Sequence, residues 1–134
     1  MDPMRALRIS AGVYAFGLVV HTFDHFRRGL DASSPQVLWA GNLSTLLGVI
    51  AIVLVFGGHR WAPAVAAITG IPVTVGVAAV HLLPSWSALS DSFPDGGHGI
   101  SALSWIVVSI EIVGALAMGI AGLFAWREHA VRRI

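Results

Sequence analysis

Four long apolar stretches, separated by short polar segments, dominate the pattern of the chain. They run from about 9 to 26, 37 to 56, 62 to 83 and 100 to 126. Each is close to the roughly 20 residues that a helix needs to cross a bilayer, and in hydrocarbon a helix pairs its backbone groups within one segment. The pattern therefore predicts an all-α integral membrane protein, an antiparallel four-helix transmembrane bundle in which residues 1–134 form a single domain.

The connecting segments carry the residues expected at helix ends. Ser34 and Pro35 predict the cap and the first turn of the second helix, and the segment 57–60 predicts a tight turn before the third. The longest connector, residues 84–99, contains prolines, glycines and aspartates. Pro72 lies inside the third apolar stretch and predicts a kink there.

Composition agrees with this pattern and excludes several classes of protein. Apolar residues make up 56% of the chain and charged residues only 11%, whereas soluble domains average about 25% charged residues. A soluble domain of this size has too little core to bury so much apolar side chain. The net charge of +1 gives no indication of nucleic-acid binding. A soluble enzyme, a disordered tail and a nucleic-acid binder are excluded.

The choice of basic and sulfur-containing residues narrows the chemistry further. The chain has no cysteine, which excludes disulfides, thiolate nucleophiles, iron–sulfur clusters and thiolate zinc sites. All basic residues are arginine, and Ala, Gly and Val are abundant. This composition is typical of a bacterial chain from a high-GC genome.

Arginine is unevenly distributed between the two ends of the predicted bundle. The end that carries both termini has six arginines, and the other end has two, Arg27 and Arg28. By the positive-inside rule we expect both termini in the cytoplasm of a bacterium, with the chain as a multi-pass protein of the plasma membrane. His21 and Asp24 interrupt the first apolar stretch, so we expect a retained span rather than a cleaved signal peptide. The six arginines are Arg5, Arg8, Arg60, Arg127, Arg132 and Arg133.

A cluster of polar residues ends the first predicted helix. His21, Asp24 and His25 fall on one face because residues three and four apart are neighbours on a helix. Gly17 and Tyr14 extend this face towards the membrane interior. Two histidines at i and i+4 can give two ligands to one metal ion, and Asp24 can serve as a third ligand or orient a histidine.

The other helices bring further polar groups to the same predicted outer end. His81 lies near the end of the third helix, and Glu111 is the only acidic residue deep in a span. His21 and Glu111 lie about 9 Å and 16 Å inside their helix ends at 1.5 Å per residue, so their side chains can meet. A carboxyl group at this depth has to be protonated, paired with a cation or bound to a metal.

Simpler explanations account for the remaining polar and aromatic residues. Asp24 lies close enough to the interface to pair with Arg27 or Arg28, and the tryptophans lie near predicted interfaces, as in an aromatic belt. We expect the other histidines to be surface residues. These are His59, His98 and His129.

The first hypothesis for this outer site is a metal centre. His21, His25 and His81, with Asp24 or Glu111, offer imidazole and carboxylate ligands without sulfur, which suit Zn, Fe or Cu(II). Such a metal would serve redox chemistry or act on a lipophilic substrate. A variant is haem b, with His21 and His81 as the two axial ligands.

Two further hypotheses need no metal. In a membrane-embedded acid–base enzyme, Glu111 acts as the acid, His21 or His81 as the base, and Tyr14 lies beside them. Isomerisation, cyclisation or epoxide opening of an isoprenoid- or polyketide-like molecule would fit such a pair. The other hypothesis is a transporter or an accessory subunit, as a homo-oligomer or within a larger membrane complex. In each case we expect membrane lipids, and in the first two a lipophilic small molecule, as partners.

Overall fold

The computed structural model describes residues 2–131, with side chains up to residue 128. It contains four α-helices, each long and apolar enough to cross a membrane, which confirms this part of the prediction. Arg132 and Arg133, used above for orientation, lie outside the described residues, as does the side chain of His129. The helices are α1 (Pro3–Arg28), α2 (Pro35–Phe56), α3 (Ala62–Leu82) and α4 (Ala102–Val131).

The helix ends follow from local capping. α1 begins about six residues earlier than the apolar pattern predicts, because the side chain of Asp2 accepts a hydrogen bond from the backbone N–H of Arg5. Ser34 caps α2 in the same way, as predicted, and Pro35 follows it. Gly29, with φ of 92°, ends α1 in a conformation that favours glycine.

Glycines let α1 approach the backbone of α4. A Cβ atom added to Gly17 would lie 2.6 Å from the Cα of Glu111, and one added to Gly114 would lie 2.7 Å from the Cα of Tyr14. Contacts this close exclude any side chain at either position. The contact at Gly17 holds Glu111 one helical turn from His21, where the two side chains can meet.

α3 packs against a neighbouring face of α4, and glycines again allow the close approach. A Cβ atom on Gly70 would lie 2.5 Å from the carbonyl oxygen of Ala115, and one on Gly122 would lie 2.6 Å from the carbonyl oxygen of Pro63. Small residues at such contacts are the usual way in which membrane helices approach closely. α2 packs less extensively, against α1 and α3. The bundle is therefore held together mainly by the contacts of α4 with α1 and α3.

The outward faces of the helices are strongly apolar. Phe16, Val53, Ile68 and Val113 are each between 59% and 70% exposed. A soluble domain does not leave large apolar side chains uncovered on all its helices, whereas lipid covers them in a membrane. The pattern of burial therefore agrees with the four candidate spans.

The glycine contacts give the first testable prediction. We expect Gly70→Ala to destabilise the bundle by about 1–3 kcal/mol, because its methyl group meets the backbone of α4 and separates the helices. The matched control is Gly76→Ala in the same helix, where an added Cβ meets nothing within 4 Å. This control should instead stabilise α3, by about 0.5–1 kcal/mol. Reversible unfolding in mixed micelles, followed by circular dichroism, measures both; equal effects of the two substitutions would contradict the assignment.

Candidate metal centre

Three histidines from two helices meet at one end of the bundle. One ring nitrogen from each of His21, His25 and His81 lies within 4.8 Å of the corresponding nitrogens of the other two. The ring centroids of His21 lie 4.8 Å from those of both His25 and His81, and the latter two are 5.5 Å apart. The i, i+4 pair on α1 is thus completed by a third imidazole from α3, as the sequence predicts.

The size of this cluster is close to that of a bound metal site. In a tetrahedral zinc site with Zn–N bonds of 2.0–2.1 Å, the ligand nitrogens are about 3.4 Å apart. The three imidazoles therefore have to approach one another by about an ångström, which small rotations about their side-chain bonds can supply. The helices can stay where they are.

Glu111 holds the ring of His21. Its Oε2 atom forms a short contact with Nδ1 of His21, and both side chains are buried. Nε2 of His21 is also buried and has no hydrogen-bond partner within the part of the chain that the structure describes. One nitrogen of the ring is therefore held by a carboxylate while the other is left without a partner, which is the arrangement that metal-binding histidines show.

His81 is held in a comparable way by the loop that follows α3. Its Nδ1 atom lies 3.2 Å from the carbonyl oxygen of Asp91 and 3.5 Å from the Oδ2 atom of the same residue. The loop is in turn fixed to the end of α3, since the backbone N–H of Phe93 donates to the carbonyl oxygen of His81. The ring of Phe93 covers that of His81 at a centroid distance of 4.8 Å. His81 is therefore fixed on the side away from the cluster.

A buried ion pair anchors this loop to the end of α1. Arg28 donates two hydrogen bonds to Asp91, of 2.8 and 2.7 Å, and Ser33 donates a third, of 3.2 Å. Burial by itself would raise the pKa of Asp91, but the hydrogen bonds and the charge of Arg28 hold that pKa below the ordinary value of an aspartate. Sequence analysis missed this pair, because its members are 63 residues apart and no periodic pattern links a loop aspartate to a helix end.

His25 is the least constrained of the three histidines. It is half-buried, and its Nδ1 atom lies 3.4 Å from the hydroxyl oxygen of Ser33, at the long limit of a hydrogen bond. Ser33 also contacts Asp91, so this serine contacts both His25 and the residue that holds His81. The ring of His25 has the most freedom to move towards an ion.

Asp24 does not join the cluster. Its Oδ1 atom accepts a hydrogen bond of 2.8 Å from Nε of Arg27, which is one of the two arginine partners that the sequence allowed. Arg27 also donates to the carbonyl oxygen of Gly99 and to the hydroxyl of Ser104. Asp24 thus fixes the start of α4 against the end of α1 through Arg27. Among the described side chains no hydrogen bond joins Asp24 to the three imidazoles, and its buried Oδ2 atom has no hydrogen-bond partner.

Tyr14 lies deeper in the bundle than the cluster. It is fully buried, and its hydroxyl group packs against Gly48 of α2. Among the described residues this hydroxyl has no hydrogen-bond partner. Tyr14 does not line the cavity beside the histidines, so a catalytic role for it stays a prediction without a contact to support it.

A cavity of about 380 Å³ lies beside the cluster, between α1, α2 and α3. The three histidines and Glu111 form one of its walls, and apolar side chains form most of the others. Its volume lies within the range of small-molecule sites. A ligand in this cavity would therefore reach the imidazoles directly. His59 and His98 lie elsewhere and are exposed, as predicted.

Comparisons of the chain with family models, with curated proteins and with solved structures find no match. The interpretation therefore depends on the geometry of the chain itself. That geometry describes a membrane-like four-helix protein with a histidine cluster that could hold a metal ion.

Proposed function

We propose that this protein is a membrane metalloprotein whose metal ion is bound by His21, His25 and His81. The observation that carries the proposal is the convergence of one nitrogen from each ring within 4.8 Å. Support comes from the opposite side of the rings, where Glu111 and Asp91 hold the Nδ1 atoms of His21 and His81. Such partners fix the tautomer and orientation of metal-binding histidines.

Zinc is the ion that this ligand set favours. Three imidazoles without sulfur suit Zn, Fe or Cu(II), and three protein ligands with one open position are typical of catalytic zinc sites. All three histidines line the cavity, so a molecule in the cavity would lie beside an ion that they hold. A zinc ion bound here would polarise an oxygen atom of a substrate or activate a water molecule. The residues of the chain bind the ion, orient the rings and, through the apolar walls, restrict the access of water.

The same geometry favours a single ion over haem b. A haem held by His21 and His81 needs a flat gap between the two rings for the macrocycle. The ring centroids of these two histidines are 4.8 Å apart and the rings meet edge to face, which leaves no flat gap between them. The ring of His25 lies 4.8 Å and 5.5 Å from theirs, so the three imidazoles form a compact cluster that suits a bare ion better.

The orientation that we propose is an antiparallel bundle with both termini in the cytoplasm of a bacterial cell and the histidines near the outer face of the plasma membrane. Gly17 meets Glu111, and Tyr14 meets Gly114. Residue numbers therefore increase along α1 as they decrease along α4, as in a pair of antiparallel helices. The excess of arginine at the end that carries the termini supports this orientation.

A metal-free acid–base enzyme is the second candidate, and one observation favours it. The buried pair of His21 and Glu111 lines the cavity, so a proton could move between this pair and a substrate. An isoprenoid- or polyketide-like molecule would be the substrate. Turnover by protein that elemental analysis shows to be free of metal, and its loss in Glu111→Gln, would establish this alternative.

Zinc binding by the purified protein tests the main proposal. The protein in phosphatidylcholine nanodiscs is treated with EDTA, dialysed against buffered zinc and analysed for metal content. We expect about one zinc ion per chain, because one set of three imidazoles is present. His59→Ala and His98→Ala, both at exposed positions, serve as controls and should leave the content unchanged. Wild-type protein that retains no zinc above the level of empty nanodiscs would overturn the proposal.

Glu111 provides a second, graded prediction. We expect Glu111→Leu to lower the affinity for zinc by about 10–100-fold, because Nδ1 of His21 loses its carboxylate partner. Glu111→Gln keeps an oxygen that can accept a hydrogen bond, so its affinity should lie between those of wild type and Glu111→Leu. Competition with a chromophoric chelator measures both constants. Identical affinities for all three proteins would show that Glu111 does not support the metal site.

A further inference from the structure

The cavity beside the histidines is lined by α2 on one side and by α1 and α3 on the other. The buried residues of α2 are Val37 and then Gly48, Ala51 and Val55, so the part of α2 between Val37 and Gly48 is only partly covered by the rest of the bundle. Gly41 on α2 and Gly76 on α3 line this gap, and an added Cβ atom at either position would meet nothing within 4 Å. The two glycines thus leave a cleft between α2 and α3.

Three polar side chains of α2 line this cleft, those of Asn42, Ser44 and Thr45, and Asn42 and Thr45 lie three residues apart on one face of the helix. Asn42 and Thr45 lie about 10 Å and 15 Å along the helix from Pro35 at 1.5 Å per residue, at a depth where water is scarce. Their side chains make no hydrogen bond to any residue between 2 and 131. Because an unpaired polar group is unfavourable in hydrocarbon, the amide and the hydroxyl point to a ligand that supplies hydrogen-bonding oxygen atoms.

The charges around the cleft restrict the ligand further. In the stretch whose side chains are described, residues 2–128, no arginine lines the cleft. The charged group in its wall is Glu111, which already contacts His21. In the metal-free protein a phosphate or a carboxylate would therefore find no cationic side chain, and a cationic group would find no free carboxylate. A neutral polar end fits this environment best.

We propose that this cleft binds a neutral lipid, a long apolar chain that ends in a hydroxyl or carbonyl oxygen. Asn42 and Thr45 bind the oxygen end beside the histidine cluster, and the chain leaves into the membrane between Gly41 and Gly76. This inference names a substrate class for the proposed metal centre and rests on that function for its consequence. Binding in the cleft itself depends on α2 and α3 and needs no metal.

Photolabelling tests this proposal. Hexadecanol that carries a diazirine and a terminal alkyne is added to the EDTA-treated protein in phosphatidylcholine nanodiscs, and labelled peptides are identified by mass spectrometry. We expect labelling of the facing parts of α2 and α3, and a loss of about tenfold in Gly76→Leu, whose side chain fills the cleft. The matched control is Val75→Leu, which changes the neighbouring, lipid-facing position, 64% exposed, and should label like wild type.

Further variants address the polar end and the fold. Asn42→Leu should lower labelling by hexadecanol, and the matching hexadecanoic acid should label poorly above about pH 9, where its carboxyl group is ionised. Circular dichroism reports whether Gly76→Leu keeps its helical content. If the helical content of Gly76→Leu falls, Gly41→Leu is used instead, because its side chain fills the cleft from α2.

Each outcome separates this proposal from the metal centre. If Gly76→Leu lowers labelling but the wild-type protein binds no zinc, the lipid cleft is supported and the proposed metal centre is wrong. Zinc binding with equal labelling of Gly76→Leu and Val75→Leu overturns the cleft and leaves the metal. The chain has no cysteine, so Asn42→Cys tests the remaining occupant. Efficient disulfide-linked dimers at that position would show that a second copy of the chain covers Asn42, and would overturn the proposal.

Discussion

Replacing His81 with alanine is expected to lower the affinity for zinc by more than about 100-fold while leaving all four helices in place. Loss of an outer partner of a metal ligand costs about 10–100-fold, and His81 is a direct ligand in the proposed site. It is also the only contribution of α3 to the histidine cluster. Without it, His21 and His25 are left as two ligands on one helix.

The measurement combines zinc affinity with circular dichroism in the same nanodisc preparations. His21→Ala should behave like His81→Ala, because each removes one of the three nitrogens. His98→Ala is the control, since the side chain of His98 is exposed and contributes only its carbonyl oxygen, to Arg28. If His81→Ala binds zinc as tightly as His98→Ala does, His81 is not a ligand and the three-histidine centre is wrong.

Arg28→Met is expected to destabilise the protein by about 3–5 kcal/mol, because it leaves Asp91 buried without its cationic partner. The carboxylate would keep the hydrogen bond from Ser33 and the approach of Nδ1 of His81 at 3.5 Å, and its pKa would rise, since burial would no longer be offset by the arginine. The loop that carries Asp91 also holds His81, so this variant should bind zinc more weakly as well. Unfolding in mixed micelles gives the change in stability.

A double variant distinguishes the loss of the ion pair from a general disturbance. In Arg28→Met with Asp91→Leu, neither position of this ion pair carries a charge, and we expect most of the lost stability to return. Arg60→Met, at an exposed position, should change stability by less than about 0.5 kcal/mol. A double variant as unstable as Arg28→Met would show that the ion pair is not what the substitution removes.

The four helices could be predicted because their signal is local. A run of about 20 apolar residues predicts a span wherever it occurs, and Ser34 with Pro35 marks the start of α2. The first turns of α1 carry Asp2, Arg5 and Arg8, so they fall outside the apolar run although they are helical. Capping by Asp2, rather than hydrophobicity, sets where α1 begins.

The candidate site could be predicted only in part, because part of it depends on long-range contacts. The spacing of His21 and His25 identifies a shared helix face, and the depth estimate brings Glu111 within reach of His21. The position of His81 near the end of the third helix brings it to the same end of the bundle. The sequence does not determine which arginine each aspartate pairs with. Asp24 pairs with Arg27 and Asp91 pairs with Arg28, a choice set by where the last loop folds.

The cleft could not be predicted from the sequence for a similar reason. Gly41 and Gly76 resemble the glycines that pack helices together, such as Gly70. Only the structure shows that Gly70 meets a backbone while the other two face open space. Likewise, only the structure shows that the polar side chain of Asn42 lines the cleft without a hydrogen-bond partner among the described residues.

X-ray absorption spectroscopy of the zinc-loaded protein identifies the ligands of the metal ion. We expect three imidazole nitrogens at about 2.0–2.1 Å, recognised by the scattering of their rings, and one further oxygen or nitrogen ligand. His25→Ala should reduce the number of imidazoles to two. A zinc site with one imidazole or none in the wild-type protein would contradict the convergence of His21, His25 and His81 on a single metal ion.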